Sequence, residues 1–427
     1  MVKRCSYFIL LLLIKQTAFS QSINKIINAK EVERIEKTLS ADDMRGRKAF
    51  SPEIDKAADF VAAEFKKAGL EPGNGASFLQ EFAMFHNKLV SVSGTMNGKA
   101  LDEKNVAVLS VKETLSINQS SGFKQIVVKA HDTLPTILMK IRRNGGNYLL
   151  MVDTIHRALV ERIKRSSLFT PKGDIVLVLS PEEAGEYSIQ YKQTVSSRPL
   201  KNVVGILPGK SKKEEYVIFS GHYDHLGVGK ANAAGDSIFN GANDDAAGTT
   251  AVIMLANYFA KQKKNERTLV FVAFTAEEAG GFGSQYFSQN FNPDLVMAMF
   301  NIEMIGTDSK WGTNSAFITG YEKTDMGKIL EKNLEGTDFK FYPDPYPDQQ
   351  LFYRSDNATL ARQGVPAHTI STSKMDSEKF YHTQEDEIET LDMNNMAAII
   401  RAIAISSTSI VAGKDTPTRV APESLRR

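Results

Sequence analysis

Residues 239–248 read FNGANDDAAG and run directly into the apolar stretch TTAVIMLANYF. Asp244 and Asp245 stand side by side among Gly and Ala, which offer no cover for their mutual repulsion. A helix about to begin favours one acid, through its free N–H groups and dipole. Two adjacent acids ask for a further positive charge. The flanks set the frame. YVIFSGHY before the pair reads as a buried strand, and AAGTTAVIMLANYFAKQ after it as a helix. The alternation continues with TLVFVAFTA (strand), GSQYFSQNF (helix), VMAMFNIEMIG, SAFITGY and the short AHTISTS (strands), and MAAIIRAIAISSTSIVAG as a closing helix. Strand–helix alternation predicts an α/β fold, a mainly parallel or mixed central sheet with helices on both faces. Ligands in such folds collect beyond the carboxyl ends of the strands.

The chemistry-bearing residues fall at those ends. His222 and Asp224 follow YVIFSG, and Asp244 and Asp245 precede the next helix. Glu277 and Glu278 follow LVFVAFTA, Glu303 ends FNI, and His382 lies in KFYHTQED. Each has an ordinary explanation alone: a solvated EE turn, or a DD helix cap. Carboxylates gathered on one rim, however, repel unless a cation neutralises them, and imidazole with carboxylate suits zinc.

SGHYDHLG, NGANDDAAG, FTAEEAGGFGS, FNIEMIG and FYHTQED, in this order and spacing, resemble the co-catalytic two-zinc aminopeptidase family, which includes secreted bacterial leucyl aminopeptidases. The likeness covers about 200–410, and MRGRKAFSPEIDKAADFVAAEFKKAGL resembles the family's opening segment. It implies a zinc exopeptidase fold and two Zn2+ per chain. The implied activity is hydrolysis of N-terminal residues of peptides through a metal-bridged hydroxide. By the same resemblance Asp244 bridges the metals, His222 and Glu303 complete one, and Glu278 and His382 the other. Asp224 accepts the other N–H of His222, Asp245 shapes a strained peptide that aims Asp244, and Glu277 is the general base. Tyr381 donates to the oxyanion. Relatives commonly have Asp where this chain has Glu303, and that position varies with the peptide end attacked, so carboxypeptidase or dipeptidase action stays open. A glutaminyl cyclase-like transferase and a non-catalytic binding relative are the other readings.

His225 reads as a locally packed residue and His368 as core or rim, whereas Ser355 and Asp356 receive no role. GGFGS at 280–284 lacks the spacing and Lys of a phosphate cradle. FYPDPYPDQQLFY (341–353) reads as a loop near the cleft.

The 427 residues carry a formal charge of +2, with no clustered basic stripe, which argues against a nucleic-acid partner. MVKRCSYFILLLLIKQTAFS (1–20) has the n-region, short apolar core and small residues of a signal peptide. Export to the periplasm or outside the cell follows, with no stable membrane insertion after cleavage and no cysteine left, since Cys5 is the only one. The peptidase domain is expected at 21–88 and 200–412. It would be interrupted by a β-rich subdomain at 89–199, in position like a protease-associated insertion, with TLPTILMKIRR its one helix and His131 and His156 on its surface. Residues 413–427, polar with Pro interruptions, read as a flexible tail. Ser51, Pro52 and Gly69 are expected to bound a helix over SPEIDKAADFVAAEFKKAGL.

Overall fold

The structure is a computed structural model describing residues 23–425, so the expected signal peptide lies outside the described residues. Two compact units divide the described residues: 23–81 with 201–425, and 82–200.

In the first unit, α1 (Ala29–Leu39) and α2 (Pro52–Ala68) precede the strand β1 (Tyr187–Leu207), whose Val203–Leu207 portion belongs here. There follow β2 (Lys212–His222), α3 (Ala247–Gln262), β3 (Arg267–Phe274), α4 (Phe282–Asn290) and β4 (Val296–Ile302). β5 (Ser315–Ile318), β6 (Lys340–Pro343), β7 (Ala367–Ser371) and α5 (Met393–Ser406) complete it. The strands lie in the order β6-β5-β7-β4-β2-β3-β1. β3, β2, β4 and β7 are parallel, while β5 runs antiparallel to β7 and β1 antiparallel to β3. The chain leaves β2 for β3 on one side and then crosses to β4 on the other. The strand order therefore reverses at β2, which opens a crevice beyond its carboxyl end.

Alternate side chains explain both covered faces. Phe219 of β2 stacks on its register neighbours Phe271 and Phe300, with centroids 5.5 and 4.9 Å apart, and on Phe259 of α3 at 5.4 Å. This face is closed by α1, α2, α3 and α5; the other, with Ile218, Val270, Val272 and Met299, meets Phe287 of α4 and Leu360. α2 buries Ile54, Ala57, Ala58, Val61 and Phe65, with Pro52 in its first turn and Gly69 left-handed (φ 84°) at its end. Ser51, expected to cap it, makes no side-chain cap bond; its hydroxyl is buried without a partner. α3 is buried almost throughout, and its start needs Gly248, where a Cβ would fall 2.1 Å from the Ile302 carbonyl oxygen.

The tail is not loose. Arg419 donates to the carbonyls of Val296 (2.7 Å) and Pro293 (3.0 Å), and Val420 is buried in the core. The fully buried Arg267 donates to the Asp415 carbonyl (2.7 Å), so the expected flexible segment is a docked strap through Leu425. Polar composition misled here because a few specific contacts hold the strap: the Arg419 side chain, the buried Val420 and the Asp415 carbonyl.

The second unit is β-rich, as expected, and holds one α-helix more than expected. Its four-stranded sheet has the order Val106–Leu109, Ile175–Leu179, Tyr148–Val152, Lys124–Val128, the last three strands being parallel. Helices Leu134–Asn144 and Arg157–Arg165 pack Leu134, Leu138, Ile141 and Val160 on one face of it. RALVERIKR was missed because one buried Val in a highly charged nonapeptide is a weak periodic signal. His131 is exposed and His156 half-buried. Among the described residues no helix is long and apolar enough to cross a membrane.

Candidate metal centre

All the rim residues meet beyond the carboxyl ends of β2, β3, β4 and β7. His222 is the last residue of β2, Glu277 and Glu278 turn out of β3, and Glu303 follows β4. Asp244 sits in the short turn Ala242–Ala246 ahead of α3, and its peptide bond to Asp245 is cis. Three non-glycine residues beside or at these positions, Ala276, Met304 and His382, are left-handed (φ 55°, 52° and 59°). Such backbone persists only where the surroundings over-determine it, as at functional sites.

Asp244 divides its carboxylate. Oδ1 lies 3.3 Å from His222 Nε2, and Oδ2 lies 3.2 Å from His382 Nε2. His222, Asp244 and Glu303 form one group of donor atoms close enough to share an ion; His225, Asp244 and Glu278 form another. His382 Nε2 stands 3.1 Å from Glu278 Oε1, so it joins the second. Burial alone would raise Asp244, but the imidazoles of His222 and His382 hold it well below the carboxylate range. His382 is raised to about 10 by Asp244 and Glu278. Burial pushes Glu303 up to about 7 and raises Glu277 well above its usual value; His222 opposes both shifts. The buried Nε2 of His222 and Oε2 of Glu303 have no hydrogen-bond partner. Buried, unpartnered imidazole nitrogen and carboxylate oxygen, aimed together, fit metal ions.

Around these residues stands a frame. Asp245 accepts from the backbone N–H groups of His222 (3.1 Å), Gly248 (3.0 Å) and Met304 (3.1 Å), tying β2, α3 and β4 together. Asp224 behaves otherwise than expected. Its carboxylate accepts from the amides of Glu277 (3.0 Å) and Glu278 (3.3 Å), and stands 3.8 Å from His222 Nδ1. The partner of Nδ1 is instead the Asp224 carbonyl oxygen, at 3.1 Å. The two amides of the EE turn outcompete the imidazole for the carboxylate. Tyr381 stacks on His382 with centroids 3.8 Å apart and lines a pocket with Glu303, Phe317, Leu351, Arg354 and Ser371.

Sequence reasoning gave four residues no role at the centre. His225 is buried inside the second group. Asp386 accepts from the amides of Asn243 (2.8 Å) and Asp244 (3.0 Å), holding the acidic turn; it stands within the quoted FYHTQED, so the motif carried the signal. Asp356 is buried beneath the centre, raised to about 6 by burial. Arg47, wholly buried, donates to the carbonyls of Leu39, Tyr223, Asn240 and Gly241. His368, as expected, is a core residue: Nδ1 donates to the Thr319 carbonyl (2.8 Å) and Nε2 meets the Thr324 hydroxyl (2.8 Å).

A doubly covered mixed sheet with this rim is the zinc exopeptidase fold. Residues 202–406 match the model of Peptidase family M28, and that segment is a member of it, which bears out the family likeness carried by the five motifs. Leucine aminopeptidase 1 of Ajellomyces dermatitidis is 28% identical over 238 residues, 48% of this chain and 59% of that protein. A probable zinc metalloprotease of Pyrenophora teres f. teres is 36% identical over 109 residues, covering 25% of this chain and 23% of that one. The chain thus spans under two thirds of the length of these relatives. Among solved structures, an aminopeptidase from Aneurinibacillus sp. strain AM-1 superposes with a TM-score of 0.53 at 17% identity, covering 95% of this chain and 98% of that one. Glutaminyl cyclase of Porphyromonas gingivalis superposes with a TM-score of 0.50 at 13% identity, covering 90% and 99%. These two likenesses speak for the fold.

Proposed function

We propose that this chain is an exported zinc aminopeptidase that holds two zinc ions and removes N-terminal residues from peptides. The observation that carries the reading is the orientation of Asp244, one oxygen toward His222 and the other toward His382. His222, Asp244 and Glu303 would hold one ion, and Asp244, Glu278 and His382 the other. Bound there, zinc supplies Lewis-acid charge and lowers the pKa of a nearby water towards ~7. Glu277, whose amide is pinned by Asp224, takes the proton from the attacking water and returns it to the leaving amine. Tyr381, with its phenol raised by burial, keeps its proton and donates to the developing oxyanion. The pocket beside Glu303 takes the side chain of the residue removed; Phe317 and Leu351 supply apolar wall and Arg354 a charge. The curated leucine aminopeptidase relatives support the aminopeptidase choice.

Digestion of a peptide library with zinc present, read by mass spectrometry, tests this. Ladders shortened from the amino end are expected. Trimming from the carboxyl end would give the alternative that Glu303 leaves open, and no trimming by the zinc-loaded chain would end the reading. Glutaminyl cyclase activity is the second reading, because that enzyme shares the fold. Cyclisation of an N-terminal glutamine peptide with one bound metal would favour it. Sizing and sequencing the exported protein's amino terminus tests the signal peptide, with Gln21 expected first.

A further inference from the structure

We infer that His225 is a protein ligand of the second metal position, so that this position is closed by four protein donors while the first keeps a free place. The inference rests on the two-metal reading above.

His225 is 1% exposed, yet neither ring nitrogen has a hydrogen-bond partner. Its Nδ1 lies 3.0 Å from Glu278 Oε1 and 3.9 Å from Asp244 Oδ2, without the alignment of a hydrogen bond. His382 Nε2 lies 3.1 and 3.2 Å from the same two oxygens. Four donors around a zinc ion, with bonds of about 2.0–2.2 Å, stand about 3.3–3.6 Å apart along the edges of a tetrahedron. The four separations straddle that edge. The rings of His225 and His382 are inclined at 68°, with centroids 5.7 Å apart, so they approach one point from different sides. Two imidazoles and two carboxylates complete a tetrahedral set.

The ring of His225 is also held in place. Its backbone N–H donates to the Arg47 carbonyl at 3.3 Å. A Cβ at residue 241 would fall 2.5 Å from its Cγ and Cδ2, so the ring fits only because Gly241 stands there, itself left-handed (φ 57°). Asp244 Oδ1 faces the other group, where His222 and Glu303 are its companions. That group offers three protein donors beside the pocket lined by Glu303 and Tyr381. Closed sites hold metal tightly, and sites with a free position do chemistry. The two positions therefore differ in role: one anchors Asp244 and the other exchanges and reacts.

The test is titration of the metal-free full chain with Co2+, followed by optical absorption, in wild type and in His225→Gln and His225→Ala. In wild type the first equivalent should bind tightly with the strong absorption of four-coordinate cobalt, and the second weakly with a fainter band. The variants should lose the strong band and bind that first equivalent at least ~100-fold more weakly, the upper end of what an outer partner of a ligand costs. Gly241→Ala should act in the same direction by displacing the ring. Independently of any variant's folding, X-ray absorption of the zinc-loaded wild type should count three imidazoles over two zinc ions. Two imidazoles, or variants with unchanged band and affinity, would overturn the assignment and make His225 a packed neighbour of Glu278. A wild type that takes up a single metal would overturn the two-metal reading together with it.

Discussion

The two units of this chain use one device, parallel strands joined through helices, and treat buried charge in opposite ways. In residues 82–200 the buried carboxylate Asp174 is fully answered: Ser110 donates to it at 2.6 Å and Lys112 at 2.7 Å. The unit's parallel strand ends run on to Lys129, Asp153 and Ser180, and among the described residues no three His or acidic side chains come close enough there to share an ion. Around β2 the reverse holds. Asp224, Asp245, Glu303 and Asp356 are buried close together, with His222 and Arg47 as their nearby positive partners. Unpaired buried carboxylates are costly, so a fold keeps such a set only where a cation completes it. One architecture can serve as bare scaffold or as reaction centre, depending on what stands at the strand ends.

That contrast can be broken most severely at the centre. A strong chelator should remove all hydrolysis, with zinc restoring it. Glu277→Gln should lower kcat/KM by ~10^2–10^4-fold while metal analysis finds the zinc content unchanged; near-normal turnover would remove Glu277 from its role. Next comes the frame. Arg47→Met leaves the carbonyls of Leu39, Tyr223, Asn240 and Gly241 without their donor. It should cost about 3–5 kcal/mol in denaturant unfolding, and Arg47→Lys should recover little, since an ammonium cannot reproduce the fork.

His368 sharpens the comparison through pH. Burial lowers it to about 4 from 6.5, and its two hydrogen bonds suit the neutral ring. The unfolded chain therefore binds the proton first. This group's contribution is complete above pH 6.5 and is lost as pH falls through 6.5 toward 4, by about 3 kcal/mol. The wild type should lose that much more stability than His368→Asn over this window; parallel profiles would contradict the assignment. The smallest effect belongs to the second unit. Asp174→Asn should cost about 1–3 kcal/mol and leave kcat/KM where it was. A large fall in activity would mean that the two units are not separable in role.

Much of the centre was legible before any fold. Strand-end His222, Glu278 and Glu303, the turn with Asp244, and His382 were each marked by chemistry that a bare strand end does not need, and all meet at one rim. Asp224 shows where that legibility stops. Its position was right, but its carboxylate turned to the amides of Glu277 and Glu278, because which donor reaches it first depends on how the turn after β3 lies. The tail was misjudged for a related reason: Arg267 binds the Asp415 carbonyl oxygen there, and every residue type has such an oxygen.

The order of strands and helices, the residue types at the rim and the family likeness belong to the chain as written, since apolar periodicity and local chemistry survive without a fold. The direction of His225, the reach of Arg47 to four carbonyls and the clamp of Asp386 on the acidic turn exist only in three dimensions. Beyond a strand's end the alternation of the pleat no longer tells which way a side chain points. There the packing of distant segments decides, as Gly241 does for the ring of His225.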